Sequence, residues 1–225
     1  LREMAEAAQE LGWQYLGIAD HSRSSVQAAG LSKERLLEQV EQIRELNKEY
    51  AGSGFRIFAG NEVDIHKDGS LDFDDDVLSQ LDFTVGSVHS VFTLPEAEMT
   101  ARIIRAMENP YITFLGHLTG RRLLERASYA VNVPAIIEAA AATGTIIEIN
   151  ANPRRLDMDW RWWPLAKAKG VKCSINPDAH HTSHLQFLHF GVGTARKGWL
   201  TRKDVVNTLP LGDIEAALAA KRNRK

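Results

Sequence analysis

The sequence predicts an α/β fold in which a parallel sheet curls into a β/α barrel, with residues 1–225 forming one domain. Three observations predict it. Short, nearly continuous apolar runs alternate with segments of helical periodicity, the pattern of strands buried beneath a layer of helices. Polar residues end almost every such run, always at the same end, which favours a closed barrel with a chemical rim over an open doubly wound sheet. No low-complexity linker divides the chain.

The elements follow in order. Leu1, Met4, Ala5, Ala8 and Leu11 share one helical face. WQYLGIADH is an apolar strand that delivers Asp20 and His21 at its C-terminal end. Ser32 is a candidate N-cap for a helix to Tyr50 that buries Leu36, Leu37, Val40, Ile43 and Leu46. FRIFAGNEVDI is a strand ending near Glu62 and Asp64, followed by a turn at Asp68-Gly69. Asp74 to Asp76 then lead a short helix, where its dipole favours negative charge. FTVGSVHS is a strand carrying His89, a helix spans roughly 96–108, and ITFLGH is a strand carrying His117. A loop leads to a helix from Pro134 to Ala142 closed by Gly144. TIIEINANP is a strand, WRWWPLAKAKG an amphipathic helix, and VKCSINPDAH a strand ending at Asp178 and His180. Two or three helical stretches complete the chain, and the last residues, KRNRK, read as a solvated end.

Composition narrows the function. The net charge of −2 does not mark a nucleic-acid binder, so attraction to phosphates must be local. A single cysteine, Cys173, excludes an internal disulfide framework and agrees with a reducing, cytoplasmic compartment. No apolar run is long enough to span a bilayer, and no secretory signal is visible. The sequence opens at Leu1, inside a helical pattern, and reads as part of a longer chain.

His21, Glu62, His89, His117, Asp178 and His180 each lie at, or just past, the C-terminal end of a predicted strand. A parallel barrel brings those ends to one mouth. Imidazole nitrogens and carboxylate oxygens without thiolates suit zinc, manganese or iron(II). Several such ligands suggest a multinuclear centre that activates water and neutralises phosphoryl charge. Taken singly, each has a bland alternative: a satisfied polar histidine, a salt-bridge partner in Glu62, a turn residue in Asp178. Their shared placement argues against it. His66, His181, His184 and His189 lack that placement and are expected at the surface or supporting the ligands, His181 foremost.

IADH, GNEVDI, GSVHS, LGHLTGR, EINANPRRLD and NPDAH, in this order, resemble the polymerase and histidinol phosphatase (PHP) family. DFDDDVLSQLDFTVGSVHS, TARIIRAMENP and the tail from FGVGTARKGWL through DVVNTLP narrow the similarity to the C-terminal PHP domain of bacterial and archaeal family-X DNA polymerases. The resemblance covers nearly the whole chain. It implies a distorted seven-stranded, TIM-like β/α barrel with a trinuclear zinc or manganese centre. By the same resemblance, Glu62, His89 and His117 share one metal, Asp178 joins Glu62 on another, and His21 and His180 hold the third. The family opens with a strand bearing His-x-His, followed by an aspartate, and this sequence begins after both. One metal position therefore keeps its full protein-ligand set and two are depleted, so one ion is expected to bind well. The missing first strand is also expected to leave an unpaired sheet edge that invites self-association.

Arg121 and Arg122 follow His117, and Arg154 and Arg155 follow the EINAN strand. Arginine's planar fork matches phosphate oxygens, so these are candidate substrate-binding residues. Surface salt bridging to Asp157 or Asp159 is the competing reading. Glu62, Arg122 and Arg155 are the residues expected to act directly in catalysis. Asn150 and Asn152 are expected to orient ligands or to form turns. Trp160, Trp162 and Trp163 could stack on unpaired bases, but the i, i+3 spacing of Trp160 and Trp163 favours packing.

The resemblance implies hydrolysis by metal-activated water, as a 3′–5′ exonuclease cleaning DNA 3′ ends in base-excision repair, with polymerase domains upstream. Two alternatives stand: a phosphomonoesterase acting on a small metabolite, and a structural module of the polymerase without activity of its own.

Overall fold

A computed structural model describes residues 1–222. Helix α1 (Arg2–Glu10) leads to strand β1 (Tyr15–His21), α2 (Lys33–Glu49) to β2 (Arg56–Asp64), and the single turn α3 (Asp75–Leu78) to β3 (Phe83–Ser87). Then α4 (Glu96–Glu108) precedes β4 (Phe114–Leu115), α5 (Val133–Thr143) precedes β5 (Ile146–Asn150), and α6 (Trp163–Ala168) precedes β6 (Cys173–Asn176). Helices α7 (Leu188–Lys197) and α8 (Leu211–Arg222) follow.

The helix boundaries have identifiable causes. The Ser32 side chain accepts the Arg35 N–H at the start of α2, whose buried stripe is Leu36, Val40, Ile43 and Leu46. Asn132 caps α5 by accepting the Ala135 N–H, and Gly144 ends that helix at φ 73°, a conformation glycine adopts without steric cost.

The six strands are all parallel and lie in chain order, β1 to β6. The sheet curls as a partial TIM-like barrel. Strands β1 and β6 do not pair with each other among the described residues, and no seventh strand is present among them. Both edge strands line a cavity of about 1030 Å³, together with residues such as Val206 and Leu218.

Side chains alternate along each strand. Ile57, Ala59 and Val63 of β2 face outward into the cluster that holds α2, whereas Ile147, Ile149 and Cys173 pack outward with α4 to α6. The inward-facing residues change along the axis. Phe58, Phe83, Phe114 and Ile146 form an apolar floor with Val206, Ile214 and Leu218, so α8 closes that end. Gly17 and Gly60 make room for the Phe83 ring: a Cβ on them would lie 2.9 and 2.4 Å from it. Above this layer the interior turns polar, with buried Ser87, Glu148 and Asn150 beneath the rim.

Four expectations need correction. The strand expected over 112–117 is regular only at Phe114–Leu115, flanked by single bonds from Thr113 to Thr84 and from Gly116 to Gly86, and at its start the Ile112 N–H is taken by the Asn109 carbonyl in a turn. The last strand stops at Asn176, since Pro177 has no N–H and Asp178 takes φ 51°. WRWWPLAKAKG is two pieces, a 3-10 turn over Trp160–Trp162 and then α6, with Pro164 in the first helical turn. In the tail, Lys221 is only 6% exposed, and its ammonium donates to the Met107 and Ile112 carbonyls and to Thr145 Oγ1. Asn223, Arg224 and Lys225 of that expected solvated end lie outside the described residues. Among those residues, no helix is long and apolar enough to cross a membrane.

Candidate metal centre

Strand register builds the site. His21 ends β1 and lies opposite Glu62 of β2, while His89 and His117 stand two residues beyond β3 and β4. Glu62 Oε1 is 3.0 Å from His117 Nε2 and 3.3 Å from His89 Nε2, and those two nitrogens are 3.2 Å apart. A tetrahedral ion with ligand bonds of about 2.0–2.1 Å separates neighbouring ligand atoms by about 3.3 Å. The three atoms fit one such ion. On the other side of the carboxylate, Glu62 Oε2 is 3.3 Å from His21 Nδ1, and ligand atoms of His21, Glu62 and His89 all lie within 4.8 Å of one another. The Nδ1 atoms of His21 and His117 are buried with no hydrogen-bond partner. For His117 the gap is notable, because the ring is almost wholly enclosed.

The electrostatics agree with a cation site. Burial pushes the Glu62 carboxyl up, but hydrogen bonds and charge from His117 and His89 prevail and hold it well below the usual range. Burial likewise pulls His89 down, yet Asp64 and Glu62 raise it to about 9. A metal ion competes with that proton for Nε2.

Asp178 and His180 follow β6. Asp178 Oδ2 accepts the Asn150 side-chain N–H at 3.0 Å and lies 3.5 Å from Arg155 Nε. The His180 ring is exposed, with its centroid 6.3 Å from that of His21. Asp178, His180, His21 and Glu62 line the same cavity. The six expected ligands thus occupy one rim, four of them tightly clustered and the β6 pair more loosely arranged.

Several residues that support the ligands were not singled out from the sequence. The Asp64 carboxylate contacts His89 Nδ1 and accepts hydrogen bonds from the Ser24 and Ser25 hydroxyls. A carboxylate can only accept here, so it places a His89 hydrogen on Nδ1 and turns Nε2 toward Glu62. Arg102 of α4, 2% exposed, donates to the Ile65, His66 and Ser90 carbonyls and so joins the loops beyond Glu62 and His89. Glu148 accepts the His117 backbone N–H at 2.7 Å and a hydrogen bond from Asn176, and burial pushes its carboxyl up to about 7. Buried Asp157 accepts both the N–H and the hydroxyl of Thr119 at 2.9 Å, which ties together the loops after β4 and β5. The signal for Asp64 and Glu148 is strand alternation: each lies two residues from a polar residue of the same inward face, Glu62 or Asn150.

The arginines divide. Arg121 donates to the Arg155 and Leu156 carbonyls and pairs with Asp159 at 2.7 Å, the salt bridging named as the competing reading. Arg122 and Arg154 both pair with Glu125 on the open rim. Arg155 is half-buried, beside Asp178, and its Nη1 is buried without a hydrogen-bond partner. Asn152 accepts the Arg154 N–H in a turn, and Trp163 is buried in the core. His66 lies 3.5 Å from Asp72, His181 caps the turn after β6 by accepting the Ser183 N–H, and His189 contacts the Gln186 carbonyl.

Of the six non-glycine residues with positive φ among the described residues, all but Trp199 lie at the same rim. Ala29, Val91, Leu124, Leu156 and Asp178 have φ between 46° and 66°, one in each loop after β1, β3, β4, β5 and β6. Residues with side chains seldom adopt this region, and they concentrate where surroundings hold a functional shape.

The arrangement defines a TIM-like β/α domain with a candidate metal centre at its C-terminal rim. No family model matches the chain. It is 44% identical over 223 residues to the DNA polymerase/3′–5′ exonuclease PolX of Bacillus subtilis (strain 168), covering 99% of this chain. The chain spans 38% of the length of that relative. It is also 27% identical over 238 residues to a probable phosphatase of Thermoanaerobacter sp. (strain X514), covering 100% of this chain and 89% of the relative. A probable phosphatase of Clostridium acetobutylicum matches at 29% over 133 residues, 55% of this chain and 52% of its own length. With these matches and the rim geometry, the chain is a PHP domain of the kind carried by family-X DNA polymerases.

Proposed function

We propose that this domain hydrolyses phosphate esters with a metal-activated water and removes nucleotides from DNA 3′ ends as a 3′–5′ exonuclease. One observation carries the hydrolase reading: Glu62, His89 and His117 set three ligand atoms 3.0–3.3 Å apart at the mouth of a parallel barrel. A bound divalent ion, zinc or manganese in this proposal, supplies an activated water and neutralises charge on the phosphoryl group. Glu62 is positioned to serve two ions, with Oε1 toward His89 and His117 and Oε2 toward His21. Asp178 and His180 would complete the ligand set from the loop after β6. Arg155 holds the phosphate, because its buried Nη1 needs an acceptor. Arg122 and Arg154 guide the strand from the outer rim, and Arg121 keeps the Arg155 loop in place.

The name of the PolX relative supports DNA as substrate. In this reading, upstream polymerase domains of the same parent chain bring the 3′ end to the rim during base-excision repair in the cytoplasm. The phosphatase relative that aligns over 89% of its length favours a second reading, hydrolysis of a small phosphate monoester.

The two readings separate when a 5′-labelled oligonucleotide and a small phosphate monoester are offered with Mn²⁺. The exonuclease reading expects stepwise shortening of the oligonucleotide and little release of phosphate from the monoester. The reverse result favours the phosphatase. Glu62→Gln should lower oligonucleotide hydrolysis by about a hundredfold or more, since it weakens two ion positions. Arg122→Ala, which removes an exposed ion pair with Glu125, should lower it about tenfold at most. Equal losses in the two variants would count against the role given to Glu62.

A further inference from the structure

We propose that His184, Phe187 and Phe190 form a track on which the unpaired bases of a single-stranded nucleic acid stack while its end enters the metal centre. The proposal rests on the hydrolase reading and names the substrate class of the same site.

The track starts from local geometry. Residues Thr182–Phe187 form a six-residue 3-10 helix directly after His180 and His181. Such helices seldom exceed three or four residues, and at three residues per turn positions i and i+3 lie one above the other. His184 and Phe187 do so: their rings are stacked with centroids 4.8 Å apart and planes 17° apart. Phe190, on the first turn of α7, continues the row at 6.2 Å from Phe187. The His189 ring braces Phe190 at 3.8 Å.

The core does not use these rings. Leu185 and Leu188 of the same segment pack into the hydrophobic clusters, whereas Phe187 and Phe190 belong to none, and Phe190 is 39% exposed. The row also touches the loop that carries Asp178 and His180. His184 Nδ1 accepts the His180 backbone N–H at 3.3 Å, so the first ring is coupled to an expected ligand. Arg155 Nε lies 3.5 Å from Asp178 Oδ2, the other member of that ligand pair. Along the chain the order is therefore the Arg155 guanidinium, the Asp178 and His180 pair, then the stacked rings. A nucleotide chain presents phosphate, scissile bond and base faces together. A small phosphate monoester has no run of bases for the row to hold. Stacking tolerates any sequence, because every base has a π face.

The test uses Phe187→Ala/Phe190→Ala and the ring-retaining Phe187→Tyr/Phe190→Tyr. Fluorescence anisotropy in EDTA reads binding of labelled oligothymidylate and of an abasic oligonucleotide of equal length. Hydrolysis of the oligonucleotide and of bis(p-nitrophenyl) phosphate is followed with Mn²⁺. The alanine pair should bind oligothymidylate about tenfold more weakly or worse, with abasic binding and the small diester unchanged. The tyrosine pair should bind like the parent. Undiminished oligothymidylate binding by the alanine pair overturns the track, as does an equal loss for the abasic strand. If the parent hydrolyses neither substrate while the base-dependent loss appears, the track is supported and the hydrolase reading alone falls.

Discussion

The centre depends on single carboxylates placed behind single imidazoles. Asp64 touches the His89 nitrogen that faces away from Glu62, so it fixes the ring's orientation without reaching the ion position. Removing such an orienting partner typically lowers metal affinity about 10–100-fold. Asp64→Asn should show a loss of that size in competition with a chelating dye, and unchanged affinity would mean that His89 is aligned by packing alone. Part of this residue-level picture was legible in the sequence. The six ligand candidates end predicted strands, and strand ends of a parallel barrel must meet. Asp64 was equally visible by alternation from Glu62, yet nothing in the sequence reveals that the Ser24–Ser25 loop folds across it. Arg121 shows the opposite failure. Its position after His117 suggests a phosphate ligand, but its guanidinium is held by carbonyls of the neighbouring loop, a contact that sequence spacing does not encode.

At the level of elements, periodicity predicted all six strands and the major helices, because each buries an apolar face of the period it needs. It placed the ends less well where backbone groups find other partners. The turn at Asn109–Ile112 shortens β4, and Pro164 restarts the tryptophan segment as a separate helix. Helix α4 illustrates how an element positions chemistry at a distance. Its outer face is ordinary, but Arg102 enters the interior and donates to carbonyls of both ligand-bearing loops. Burial pulls the Arg102 pKa down, and its hydrogen bonds go to neutral oxygens. Arg102→Met would leave those carbonyls without donors, at a cost of about 2–4 kcal/mol. For a domain of this size the melting temperature should fall by roughly 5–15 °C. A thermal unfolding curve unchanged from the parent would show that the loops hold themselves.

For the whole molecule, the ligand atoms are unevenly gathered. Glu62, His89 and His117 already lie at ion-sharing distances, whereas half-buried Asp178 and exposed His180 stand in a loop beyond β6. Zinc titration followed by calorimetry should therefore resolve one tight site, with any further binding at least about tenfold weaker, and chelation should lower the melting temperature. Three equivalent tight sites would contradict the geometry. Class and parallel order could be read from the apolar runs, but the extent of closure could not, since it depends on which edges find partners in space. The interior has a further consequence in time. The apolar floor made by Phe58, Phe83, Phe114 and Ile146 is covered by Ile214 and Leu218, and Lys221 then grips the carbonyls of Met107 and Ile112. Every strand precedes α8 in the chain, so during synthesis at about 5–20 residues per second the nascent sheet leaves the ribosome with its base uncovered. Until residues 211–222 emerge, those phenylalanines lack the cover that Ile214 and Leu218 give them, and exposed apolar surface of that kind favours aggregation.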